Sequence, residues 1–407
     1  MKFLKNRQEI LVYLIVSIVF PFWSFLLSRF FSNKFFKSVT FIIFSTYLGT
    51  FFIHGDLSSR FEGGDNVRYI LDFQDFLVNF GGDNFVIVRS NFWSENSYPD
   101  FLFVFVMYVL SLFTQNPDSL YIAFHIIYAI LFLKLYNILS FERKSTSLSR
   151  KFLFTLLFFI IPIWFVNSFR FWTGSLVFVI ALLEYSRGKS HCIWYFLLAL
   201  LTHFVMILPF VIFVILYFAD KLSFKWAGLF LLAPIILFVT TFYSFNVADL
   251  VTNDSIVADR VKTYGSLDYI NFLKTEQHYG FLFKLSEFSM KFIFSLLFLY
   301  LLFRLKNIPR KDLIILNLIG VLVIIAYFAP VADIQRFYTT CFLFVVAFML
   351  YRDIKIKSNV FALIFTPACF FIIFRLRMSL DHYGLEVFNP LFIRLGNNSI
   401  PMIELLK

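Results

Sequence analysis

The stretch that decides the fold is residues 191–218, HCIWYFLLALLTHFVMILPFVIFVILYF. A helix crossing a hydrocarbon core needs about 20 apolar residues, and this run is too long for one upright crossing. Pro209 interrupts it by removing a backbone donor. It reads as a hairpin of two short or tilted helices meeting near Thr202 and His203. An imidazole then stands at the tip of an apolar hairpin, where a polar side chain is costly and calls for a reason.

Similar runs lie near residues 9–28, 37–54, 100–113, 119–139, 151–166, 168–185, 225–245, 283–304, 311–330, 336–351 and 358–375. Of the 407 residues 60% are hydrophobic and only 15% charged, against about 25% charged in soluble domains. Mean hydropathy is +0.80. The short alternating segments of an outer-membrane barrel are absent from the pattern. The reading is an all-α, polytopic membrane helix bundle with about 12 to 13 transmembrane segments. It forms a single transmembrane domain over residues 1–407, with larger loops at 55–99 and 246–282. The N-terminal MKFLKNRQEI leads into an apolar run without a small-residue cleavage site, which reads as a first membrane helix rather than a signal peptide.

A net charge of +11 suggests a polyanion partner, yet the basic residues form no single patch, so nucleic acid is not expected. They cluster in the connections 141–151, 186–189, 304–311 and 352–357, as cytoplasmic loops do under the positive-inside rule. The opposite, non-cytoplasmic side then receives 246–282, the turn APVADIQRF (329–337), VNSFRF (166–171) and the His203 tip. With loop 55–99 on that side too, the count before 141–151 is short by one crossing; the preferred solution is a re-entrant or surface-lying run. Cys192, Cys341 and Cys369 all sit in apolar surroundings and suggest neither a disulfide framework nor a metal site.

Ionisable groups at membrane depth are functional candidates by default. Arg170 starts the helix of VNSFRFWTGSLVFVIAL on the side where snorkelling anchors are less usual. His203 is either a buried neutral histidine or a general base. Asp333 and Arg336, in PVADIQRFYTT before Tyr338, fall one helical turn apart and can pair. Asp65 and Arg68 repeat that spacing in EGGDNVRYILDF (62–73), with Tyr69 next and Asp65 placed as a helix cap. Glu95 and Tyr98, in SENSYPDFLF, precede another helix. Nucleotide-binding, metalloprotease, paired-cysteine and nucleophile-elbow motifs are lacking, as is an Asp-x-Asp pair for metal-bound nucleotide sugars. What remains is a set of arginines with a few bases on the non-cytoplasmic side. The planar guanidinium fork suits phosphate or pyrophosphate.

These residues carry a resemblance. GGDNVRY followed by ENSYPDFLFVFVMYVLS resembles the Gly-x-Asp-x-x-x-Tyr and Glu-Pro-Gly-Tyr elements of the EpsG family, a branch of the Wzy-type polysaccharide polymerases. NSFRFWTGSLVFVIAL resembles that family's Ile-Arg-Gln-Gly-x-Ala helix, with Arg170 on its arginine. LLTHFVMILPF resembles its His-x-Ser segment, with His203 on the histidine, and ADRVKTYG and IQRFYTT resemble the later Arg/Tyr elements. The order and spacing match over nearly the whole chain. The chain departs where Phe171 replaces a glutamine, Asn96-Ser97 replace Pro-Gly, and Val205 replaces a serine.

The resemblance implies a metal-independent glycosyltransferase without cofactors in the bacterial cytoplasmic membrane, its site facing outward. Such an enzyme joins undecaprenyl-pyrophosphate-linked oligosaccharide repeat units into O-antigen, capsule or exopolysaccharide, in some systems with a chain-length-regulating co-polymerase. On this reading Arg170, Arg336 and Arg68 hold the pyrophosphate, and His203 or Asp65 is the base. Tyr69, Glu95, Tyr98, Asp333 and Tyr338 contact sugar. A flippase for the same lipid-linked glycan, an O-antigen ligase and a membrane O-acyltransferase are the rival readings.

Overall fold

The computed structural model describes residues 14–18, 24–25, 28, 34–50, 65–80, 100–140, 147–163, 168–221, 281–304, 309–328 and 332–383. Almost all of these are helical, and none of them lies in a strand. In chain order the helices are α1 (Lys34–Gly49), α2 (Asp65–Phe80), α3 (Phe101–Ser111), α4 (Ser119–Ser140), α5 (Leu148–Ile160), α6 (Phe169–Ser186) and α7 (Cys192–Thr202). A 3-10 turn (Phe204–Met206) leads into α8 (Ile207–Lys221), then α9 (Phe281–Arg304), α10 (Arg310–Phe328), α11 (Ala332–Tyr351) and α12 (Ser358–Tyr383). The run 191–218 is therefore a helical hairpin whose bend falls at His203, in an extended conformation (φ −152°, ψ 120°). Its arms are too short to cross a bilayer upright, since each residue of helix rises only about 1.5 Å.

Four helices, α4, α6, α9 and α12, are long and apolar enough over their described residues to cross a membrane, and five shorter apolar helices accompany them. This confirms an all-α bundle of membrane-spanning character. Residues 65–80, inside the segment 55–99, add a helix that no long apolar run announces. Of the segment 246–282, residues 246–280 lie outside the described residues and 281–282 open α9.

Beside α11, whose residues 337–350 are all buried, α6 lies at the centre of the bundle. It is the least apolar of the four long helices, yet 83% of its membrane window is buried, against 17% for α12, the most apolar of them. In a bilayer the surrounding solvent is itself apolar, so the greasiest helix gains nothing by moving inward. Close helix approach and interhelical hydrogen bonds select the centre instead. Thr173, Gly174 and Ser175 provide both. The Ser175 hydroxyl lies 2.8 Å from that of Thr340 on α11. A Cβ on Gly174 would stand 3.2 Å from Cγ of Met206 in the hairpin turn.

Side-chain contacts fix the relative directions. α4 and α6 run parallel: the rings of Phe124 and Phe169 stack at 3.8 Å near both starts, and Lys134 meets Glu184 at 3.3 Å near both ends. α5 runs antiparallel to α4, with the Tyr128 hydroxyl donating to the carbonyl of Ile161 at one end and Arg150 donating to that of Leu139 at the other. Arg150 also bonds the carbonyl of Leu350 and pairs with Asp353. Asp312 joins Ser186 to Arg352, and Arg310 pairs with Asp220. The described parts of the basic connections thus meet at one end of the bundle, leaving the starts of α3, α6 and α11 and the hairpin bend at the other.

Candidate functional site

At that other end a single carboxylate gathers three partners. Asp100 stands immediately before α3 and has no solvent exposure. An acid in this position normally caps its own helix, but the Asp100 side chain makes no such bond. It is turned toward neighbouring elements instead. Oδ1 accepts hydrogen bonds from the Phe204 backbone N–H at 2.9 Å and from the His203 ring at Nδ1, 3.1 Å away. Oδ2 lies 2.9 Å from Nη1 of Arg170, a close ion pair in which the N–H is not well aligned on the oxygen.

The surroundings make this arrangement obligatory. A carboxylate removed from water costs several kcal/mol unless its charge and lone pairs are met, and here they are met by a guanidinium, an imidazole and an amide. All three are donors, so Asp100 serves as an ionised acceptor. The bend at His203 is what frees the Phe204 N–H from helical bonding and aims it at Asp100.

Arg170, 12% exposed, is boxed by aromatic faces. Its guanidinium carbon sits 5.2 Å from the ring centre of Tyr69 and 5.5 Å from that of Phe103, within cation–π range. Its Nε–H reaches the Tyr69 hydroxyl at a long 3.4 Å. Tyr69 itself packs on Phe103 and Phe124 at 4.9 and 5.6 Å, so α2 is tied into the site through one buried tyrosine.

Phe171 extends the cluster toward α11. Its ring takes His203 edge-on at 5.7 Å and faces the Arg336 guanidinium at 5.9 Å. Phe171 therefore stands between the histidine and the second arginine. The structure thus links Tyr69, Arg170, His203 and Arg336 from four separate elements: Asp100 joins Arg170 to His203, Tyr69 packs on Arg170, and Arg336 approaches across the Phe171 ring.

The other expected site residues are placed differently. Tyr338 turns to α9: its hydroxyl donates to the carbonyl of Lys291 at 3.0 Å, and its ring meets Phe294 at 4.7 Å. Arg68 is half-buried on α2, next to Tyr69. Asp65 opens α2 and Asp333 lies in the first turn of α11, but their side chains fall outside the described set, as do Glu95 and Tyr98 altogether. Among the described residues, no group of three or more His, Cys, Asp or Glu side chains is placed to hold a metal ion.

Asp100 is the residue that sequence reasoning missed. It lies within SENSYPDFLF, where an acid between proline and an apolar run reads as a helix cap. The available signal was its company: a lone acid abutting an apolar run, in a chain already holding an arginine and a histidine at other helix ends on the same side.

The cluster sets two cations, Arg170 and Arg336, beside a histidine that can accept a proton, while Tyr69 and Phe171 are themselves buried and pack against these groups. Comparison with protein-family models, with curated proteins and with solved structures finds no match.

Proposed function

We propose that the chain is a membrane glycosyltransferase that polymerises lipid-pyrophosphate-linked oligosaccharide repeat units, its site being the Asp100–Arg170–His203 cluster with Tyr69 and Arg336. The observation that carries this reading is the convergence of two arginines and one histidine on a single aromatic-walled region within an apolar bundle. A pyrophosphate leaving group needs cationic donors where charge grows in the transition state. The attacking hydroxyl needs a base within hydrogen-bond reach. A lipid donor needs its tail between helices. The arginines and the histidine, residue types scarce at such depth, support the first two needs, and the apolar helices around them support the third.

In the proposed reaction, a hydroxyl of one lipid-linked unit attacks the anomeric carbon of the growing glycan. The new C–O bond forms as the bond to pyrophosphate oxygen breaks, and the hydroxyl proton passes to His203. The departing pyrophosphate takes the bonding pair and is held by Arg336 and by the face of Arg170 not committed to Asp100. Gathering of the basic connections at the opposite end favours a site facing away from the cytoplasm, in a bacterial cytoplasmic membrane.

The test is the glycan profile of a strain lacking the protein, beside one complemented with Arg170→Ala. The expected outcome is loss of long chains with persistence of a single capped repeat unit, unrestored by the variant. Loss of single units as well would point to a flippase or an earlier transferase, and unchanged long chains would remove the polymerase reading.

A further inference from the structure

We infer that Asp100 is a positioning residue that divides its two oxygens between two tasks: Oδ1 fixes the ring proton of His203 on Nδ1, leaving Nε2 as the proton-accepting atom, and Oδ2 holds Arg170 in place. The first task follows from hydrogen-bond inventory. Oδ1 belongs to a carboxylate that already faces the Phe204 N–H and the Arg170 guanidinium, so it has only lone pairs to offer. At 3.1 Å the facing Nδ1 must be the protonated nitrogen. A neutral imidazole carries its other lone pair on Nε2, and no hydrogen bond to Nε2 is seen among the described residues.

The ring has little freedom to do otherwise. Phe171 holds it edge-on, and Gly174 leaves only ordinary contact distance, 3.5 Å, between a Cβ built there and that of His203. The backbone bond from Phe204 to the same oxygen locks the hairpin bend to the carboxylate, so ring and acceptor move together. Among the described residues, the charged or titratable groups nearest the pair are Arg170 on α6, Tyr69 of α2 behind it, and Arg336 of α11 across the Phe171 ring. The pair therefore carries one shared anion among cations, with a single base.

The catalytic part of this inference rests on the polymerase reading above, whereas the tautomer does not, and the experiment separates them. The full-length protein, labelled with nitrogen-15 histidine and held in lipid nanodiscs at neutral pH, is measured by solid-state NMR, with His203 assigned by its loss in His203→Gln. The expected spectrum shows one proton, on Nδ1. Asp100→Asn keeps an acceptor oxygen for the ring and should retain that tautomer. Asp100→Leu removes it and should shift the proton toward Nε2. In cells, Asp100→Leu should cut long-chain glycan on the order of a hundredfold, the range a misplaced base commands.

A wild-type proton on Nε2, or protons on both nitrogens, overturns the proposal without need of an Asp100 variant, so a failure of Asp100→Leu to fold leaves it testable. An unchanged tautomer in a folded Asp100→Leu overturns it as well. If the tautomer is as stated but strains lacking the protein still make long chains, the polymerase reading falls and the positioning role of Asp100 stands.

Discussion

The two ends of this bundle use buried charge in opposite ways. At the basic end two fully buried carboxylates are each met by side chains that reach out to water. Glu184 is paired with Lys134, Arg187 and His191, which are 39%, 21% and 48% exposed; Asp312 takes Ser186 and Arg352. At the site end one carboxylate is met by an arginine, a histidine and a backbone amide that are themselves enclosed. The first arrangement is a set of redundant stitches between α4, α6, α10 and α11, and any one cation can turn to solvent. In the second the arginine and the histidine are themselves nearly buried and have little water to turn to. Redundancy suits a stitch, whereas a lone shared anion fixes geometry, as a reactive site requires.

The comparison is tested most severely by Arg170→Lys. A lysine keeps the charge facing Asp100 but loses the planar fork and its stacking on Tyr69 and Phe103. Long-chain glycan should fall by at least about tenfold, since a single transition-state donor commands that much or more, while thermal stability in detergent changes little. Normal chain length would show that Arg170 is only a structural partner of Asp100, and the two ends would then be alike.

Glu184→Gln tests the other end. Its three partners are partly exposed, so losing the carboxylate should cost about 1–2 kcal/mol in stability, well short of the 3–5 kcal/mol typical when a fully buried pair is broken. Glycan made per folded molecule should be unchanged. A ladder shortened as severely as by Arg170→Lys, with the protein still folded, would mean that the basic end takes part in the reaction.

Much of this was legible in the sequence. The length of 191–218 and the interruption at Pro209 foretold the hairpin and placed its bend at His203, because hydrocarbon thickness sets helix length. Arg170 and Arg336 were legible because each is a charged residue beside an apolar helix, and Tyr69 because it follows the Asp65–Arg68 pair. The central position of α6 was not, because hydropathy ranks helices by greasiness and a bilayer does not bury the greasiest. Nor was Asp100, since the same acid before a helix serves equally as a cap, and only the fold shows its carboxylate turned away from its own helix. The contacts of Tyr338 with α9 were beyond reach for a related reason: spacing assigns a residue to a helix face but does not say which neighbour covers it.

The smallest expected effect comes from Gly174→Ala, which asks how tightly the hairpin bend is held to α6. The new Cβ would press on Cγ and Cε of Met206 at 3.2 and 3.4 Å and merely touch Cβ of His203 at 3.5 Å. Methionine is flexible and yields readily, so the stability cost should be about 1 kcal/mol, the low end for overpacking. Gly49→Ala provides the calibration: there the Cβ would meet the Ile122 Cα at 2.8 Å and the Tyr121 carbonyl at 3.0 Å, backbone that cannot step aside, and the melting temperature should drop further. Activity should order the other way. Displacing Met206 shifts the turn that carries the Phe204 N–H, and a base moved by a fraction of an ångström loses rate out of proportion to stability. Gly174→Ala should therefore lower glycan per folded molecule several-fold and Gly49→Ala hardly at all; equal activities in the two would mean that the bond from Phe204 to Asp100 does not govern where His203 sits.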